Sequence, residues 1–349
     1  MRRIALTGLI TSAAIILTGE AVRLSQSGLG CPDWPTCTRA SIVAAGVTGD
    51  PLIHRWVEFG NRLVTVAVFV VAVLVCVAAW QFRPDRAAGR RRDLVWLALL
   101  QPAAIAVQAV IGGLVVLTKL NPALVAVHYL ASAALVAAAL ALWVRCQEGT
   151  GRARPLVRPE VRLLALGVIA VTTAMMAAGT VATGTGPLAG ARSVPRFQLP
   201  FSGVTQLHAD IGWLLGGLIV ALVIALRLGS APQRAVRLGW LLLVLTGVQG
   251  IIGYVQYFDK LPAGLVWVHT APGATAIWIT AVALPFALRD RGPVAAAGQP
   301  VPAPAGAIAQ SGTQPGTLAA GPIPARTEAA AAADPATGPA AARADAQPQ

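Results

Sequence analysis

The sequence predicts an all-α integral membrane protein, with eight transmembrane helices arranged as two parallel, pseudo-symmetric four-helix bundles. Three observations carry this expectation. The 349 residues are 56% hydrophobic and only 12% charged, roughly half the charge density of a soluble domain. Eight apolar runs are long enough to cross a bilayer, and without strict alternation they read as helices, since open strands cannot satisfy their backbone in lipid. One stretch also occurs twice, as VQAVIGGLVVLTKLNPALVAVH (107–128) and VQGIIGYVQYFDKLPAGLVWVH (248–269), aligned without a gap at an offset of 141. Such a duplication marks two related halves.

The first run, 4–21, follows Arg2 and Arg3 and ends in TGEAVRL with no small-residue cleavage pattern, so it reads as a membrane helix and not a removed signal. A long loop with CPDWPTC separates it from the second run, 57–82. The third and fourth runs, 94–117 and 123–144, are joined by the turn carrying Lys119. The second half repeats the plan with 163–183, a loop at 184–207, 208–228, 238–258, the turn carrying Lys260, and 264–288. GEAVRLSQSGLG (19–30) is weakly echoed by GTVATGTGPLAG (179–190), which extends the repeat into the long loops. Three segments result: an N-terminal bundle over 1–150, a C-terminal bundle over 151–291, and a tail over 292–349 rich in Ala, Pro and Gly, expected to be disordered.

The net charge of +13 does not signal nucleic acid, because the basic residues lie in short loops between apolar runs. Seventeen Lys and Arg fall at the N-terminus and in the loops after even-numbered helices, against seven on the opposite side, so both termini are expected to be cytoplasmic in a multi-pass cell-membrane protein. Cys31 and Cys37 then face an oxidising compartment, where a disulfide is the default, with a redox-active pair or metal binding as alternatives.

The chain has four His. His128 and His269 occupy equivalent places in the repeat, and His208 opens the sixth run. Two imidazoles from facing helices at one depth are a common way to hold a heme iron in a bundle core, so His208 and His269 are expected to ligate one. The plainer reading of each His is a hydrogen-bonded polar residue at a helix end. In the first half the position matching His208 holds Asn61, and His54 lies seven residues earlier. Glu58, beside Asn61 and Arg62, is an acid at membrane depth and thus a functional candidate, against the plainer reading of an ion pair with Arg62 or His54.

SGLGCPDWPTC (27–37) after a helix ending GEAVRL, WVEFGNR (56–62), and the two repeats ending at His128 and His269 together resemble the heme A synthase family over 4–288. The resemblance implies an eight-helix oxidoreductase that oxidises a methyl group of heme O to the formyl group of heme A for terminal oxidase assembly. It implies that His208 and His269 hold a heme b cofactor and its iron, and that the first half takes heme O, with Glu58 and His128 catalytic, His128 on the substrate iron, and His54, Asn61 and Arg62 nearby. It matches the family's loop cysteines to Cys31 and Cys37. The family pattern commonly carries His three residues after the Glu, where this chain has Asn61, so either His128 acts alone or His54 substitutes.

Expected partners are heme O, a heme O synthase supplying it, membrane lipid and a separate electron donor, since no nicotinamide or flavin motif is seen; homo-oligomerisation is open. The alternatives are a b-type electron-transfer cytochrome without substrate chemistry, disfavoured as a bis-His diheme by Asn61, and a transporter, disfavoured because the polar groups gather at the outer helix ends and not the midplane. A heme prenyltransferase would need paired Asp-rich motifs, which are missing.

Overall fold

Each apolar run becomes a helix, and all but the last are longer than the run itself. The computed structural model describes residues 1–39, 41–44, 52–83 and 90–292. Eight helices are long and apolar enough to cross a membrane: α1 Arg2–Leu24, α2 Leu52–Gln81, α3 Arg92–Leu117, α4 Pro122–Arg145, α5 Pro159–Thr185, α6 Phe201–Leu228, α7 Gln233–Phe258 and α8 Ala263–Ala287. The predicted tail, apart from Gly292, lies outside the described residues. Apolar runs mark only what lies in hydrocarbon, whereas backbone hydrogen bonding carries a helix on through polar residues at its ends. His208 therefore sits two turns inside α6, not at its start. Local chemistry fixes several starts: Pro122 and Pro159 stand in the first turns of α4 and α5, and the Asn121 side chain caps α4 by accepting from the Ala123 amide at 3.0 Å.

The two halves pack alike. In the first, α1 packs on α2 and α4, α2 on α3, and α3 on α4; in the second, α5 packs on α6 and α8, α6 on α7, and α7 on α8. The repeat extends to backbone angles. Lys119 and Leu120 have φ of 57° and 60°, and their counterparts Lys260 and Leu261 have 58° and 61°. A left-handed conformation costs an L-residue about 1–2 kcal/mol. Two adjacent such residues in both copies show one turn built twice, each closed by a Leu amide donating back at 2.8 or 2.7 Å.

The halves join where α4 meets α5 and α8 and α1 meets α8. Tyr129 Oη donates to the Thr270 carbonyl at 3.2 Å, a contact between repeat-equivalent residues 141 apart. Such a contact lies where a pseudo-twofold axis must pass. Trp278 Nε1 donates to the Ala133 carbonyl at 2.7 Å and Trp267 Nε1 to that of Leu17 at 3.0 Å, so the buried indoles find acceptors across the seam. At one end an ion network joins the halves: Asp93 accepts from Arg91 and Arg145, and Glu148 accepts from Arg145 and Arg289. Beside it β1 (Arg154–Pro155) pairs antiparallel with β2 (Arg289–Asp290). At the other end the two long loops meet, with the Gly28 amide donating to Gly190.

Candidate functional site

Three histidines stand against glycines on the preceding helix. An added Cβ at Gly112 of α3 would lie 3.3 Å from His128, at Gly179 of α5 3.1 Å from His208, and at Gly253 of α7 3.2 Å from His269, so each ring rests on a neighbour's bare backbone. His208 Nδ1 is 3.1 Å from the Met175 carbonyl, one turn before Gly179. Placing Nδ1 toward a carbonyl leaves Nε2 as the free, electron-donating nitrogen. The glycines and glutamines of this arrangement were visible in the repeat as Gln108/Gln249 and Gly112/Gly253, although nothing in the sequence said what they hold.

The structure brings His208 and His269 together, with ring centres 6.2 Å apart and planes at 74°. With metal–imidazole bonds of about 2 Å and about 1 Å from each nitrogen to its ring centre, two imidazoles across one iron have centres about 6 Å apart. His269 Nδ1 and His128 Nδ1 are buried without hydrogen-bond partners, so neither ring is explained as a satisfied structural His. The pair fits a bis-imidazole heme iron. The backbone beneath His269 is specialised too: α8 passes through a π turn, His269–Gly273, and an added Cβ at Gly273 would fall 1.5 Å from Gln249 Nε2. Gln249 thus occupies the space that a side chain at position 273 would need, and π turns frequently mark functional sites.

In the first half, Gln108 Nε2 donates to the His128 carbonyl at 3.0 Å and to Ser132 Oγ at 2.6 Å, bracing α4 at His128. Asn61 Oδ1 accepts from Thr18 Oγ1 at 2.7 Å. An added Cβ at Gly19 meets nothing among the described residues within 4 Å, whereas its echo Gly179 faces the His208 ring. His54 Nδ1 pairs with Ser27 Oγ at 2.8 Å. It lies on the same face of α2 as Asn61, about 10 Å further along the axis.

Glu58 and Arg62 serve the cysteine loop. Glu58, only 6% exposed, accepts from the Cys31 amide and from Arg62, both at 2.7 Å. Arg62 also donates to the carbonyls of Cys31, Asp33 and Thr36, so one guanidinium gathers the loop backbone. Of the two partners foreseen for Glu58, Arg62 is the one found. Cys31 and Cys37 are disulfide-bonded and fully buried. Trp34 packs on Gly113, the neighbour of the glycine beneath His128, and so seats the loop over that end of α3.

The sequence pattern of the COX15-CtaA family, described as cytochrome oxidase assembly protein, matches residues 2–282. The chain belongs to this family. Within the COX15-CtaA group it is 31% identical over 121 residues to the heme A synthase of Lysinibacillus sphaericus, covering 35% of this chain and 36% of that protein. It is 28% identical over 116 residues to the heme A synthase of Oceanobacillus iheyensis, covering 33% and 35%. These alignments span about a third of the length of each relative.

The glycine cradle gives a test of its own. Gly253→Val should displace the His269 ring, because the new side chain starts 3.2 Å from Cε1 against a helix backbone that cannot withdraw. Heme-to-protein ratio in purified material should fall severalfold, while Gly247→Val, where an added Cβ meets nothing within 4 Å, should leave it unchanged.

Proposed function

We propose that this chain is a heme A synthase, oxidising the methyl group of heme O to the formyl group of heme A. The single observation that carries the reading is the His208–His269 pair, spaced for one iron, in a chain whose other half repeats the plan with His128 but lacks the fourth imidazole. Two equal bis-His sites would suit an electron carrier. One complete site and one site with an Asn suit a resident cofactor beside a substrate that must come and go.

In this reading the C-terminal half holds heme b, which supplies electron transfer when bound. His208 and His269 would be its ligands, with His208 Nδ1 held at the Met175 carbonyl and its Nε2 left free to bind. The N-terminal half takes heme O from lipid, with His128 as its iron ligand. Glu58 and Arg62 hold the loop so that Trp34 covers the pocket and excludes water. Asn61 keeps its amide on Thr18, which leaves the opposite face of the substrate open. Electrons come from a separate donor, and heme O from a heme O synthase.

The experiment is expression in a cell-membrane host that makes heme O but not heme A, followed by extraction and separation of hemes. Heme A or its hydroxylated precursor is expected; heme B alone would favour the electron-transfer cytochrome. The orientation belongs to the same reading. With both termini cytoplasmic, a cysteine introduced at Arg90 in a Cys76→Ser, Cys146→Ser background should resist impermeant maleimide added to intact cells, and labelling from outside would invert the topology.

A further inference from the structure

The two halves differ in the bundle core beyond the histidines, toward the end with the ion network. There the first half has a small, partly open cavity with room for about one water molecule, lined by Gly8, Thr11, Ser12, Ala72, Gln101 and Ala139 among others. Burial aligns the halves at this depth. Ala5 and Ser12 of α1 are buried like Ala165 and Thr172 of α5, and Ala98, Ile105 and Gln108 of α3 align with Gly239, Thr246 and Gln249 of α7. In that register the second half fills the same space: Val168 stands for Gly8, Ile219 for Ala72, Leu222 for Val75 and Leu242 for Gln101. Val168, Ile219, Leu222 and Leu242 are all fully buried or nearly so, within one apolar core.

Gln101 is the decisive residue. It is 4% exposed, and its Nε2 has no hydrogen-bond partner among the described residues. A buried amide without a partner costs about 1–3 kcal/mol, so a helix core does not retain one where Leu would serve unless something satisfies it. The Ser12 and Thr11 hydroxyls line the same cavity and supply the further contacts a buried water needs. Gln101 also shares a face of α3 with Gln108, two turns and about 10 Å nearer His128. Gln108 Nε2 holds the His128 carbonyl, and its Oε1, like that of Gln249 in the other half, is buried with no partner among the described residues.

We propose that the N-terminal half contains an internal water site at Gln101, from which water and protons reach the His128 pocket along the Gln101–Gln108 face of α3. The role as a route rests on the function proposed above; the site itself does not. The pairing accounts for Gln101 standing where the other half has the buried Leu242. A half that only carries electrons needs a dry, filled core, whereas a half that oxidises a carbon must move protons through a bilayer-embedded protein.

The test compares the full chain with Gln101→Leu and Gln101→Glu. Leu is what the other half uses at this place, so the variant should fold, and an unchanged heme b spectrum checks that it has. A structure resolving ordered solvent should show water within hydrogen-bond distance of Gln101 in the wild type and none in Gln101→Leu. A dry cavity, or one holding the isoprenoid tail of the substrate, overturns the site. In the heme O host, Gln101→Leu should lower heme A formation at least about tenfold and change its solvent isotope effect, with Gln101→Glu retaining most of the rate. Unchanged output and isotope effect in Gln101→Leu overturn the route. If the wild type makes no heme A, the proposed function and its proton route both fall, and the solvent structure still decides the water site.

Discussion

Replacing either His208 or His269 by alanine removes the low-spin heme b spectrum from the purified protein. Both rings should be needed because their centres lie 6.2 Å apart, a spacing at which one iron held between them would take a bond from each. Loss of a partner that merely orients a metal ligand typically costs about 10–100-fold in affinity, and loss of the ligand itself costs more. The effect should be local. His208 rests on Gly179 and His269 on Gly253, so each alanine leaves a gap beside a glycine without disturbing the α5–α6 or α7–α8 packing deeper in the bundle. Visible spectroscopy with the pyridine hemochrome and circular dichroism on the same sample would separate heme loss from unfolding. A retained low-spin spectrum in both variants would sink the assignment.

His128→Ala and Glu58→Ala should each abolish heme A formation in the heme O host while leaving heme b in place, for different reasons. His128→Ala removes the proposed ligand of the substrate iron. Glu58→Ala removes the acceptor of the buried Cys31 amide, at about 1–3 kcal/mol for a buried donor left unpaired, and the counter-charge of the half-buried Arg62. The loop and Trp34 would then lose their seat on Gly113. Glu58→Gln discriminates between holding the loop and passing protons. A neutral amide still accepts from Cys31, so a loop-holding residue retains substantial activity with an unshifted pH profile, whereas a proton carrier loses it as fully as Glu58→Ala. Heme A at the wild-type rate in either alanine variant would refute that residue's role. Asn61→His completes the reading, since it restores the imidazole that the other half carries at His208. If activity falls while substrate heme binds more tightly, the open iron face is part of the mechanism.

The fold class was legible because lipid leaves the backbone few choices. Runs of apolar residues long enough to span can only be helices, and a gapless internal repeat requires that each half pack as the other does. The same repeat marked His128 and His269, and through the correspondence of α6 with α2 it marked Asn61 as the exception. Helix ends were misjudged inward, as at His208, because hydropathy registers the hydrocarbon boundary and not the last backbone hydrogen bond.

Other features needed the folded chain. The sequence set Glu58 beside Asn61 and Arg62, yet which of these it serves depends on where a loop some thirty residues earlier comes to rest, and Arg62 turned out to hold three carbonyls of that loop. Gln101 was invisible because a glutamine within an apolar run carries no sign of burial or of its partners; only packing reveals that it lines a cavity where the sister half has Leu242. Tyr129 and Thr270 stand beside the two repeated histidines in the sequence, but their contact across the seam arises only when the halves close on each other. Composition and period therefore determined how many helices there are and which residues correspond. Rotation of each helix about its axis decided what the correspondences are for, because that rotation is set by side-chain packing between segments far apart in the chain, which no local pattern encodes.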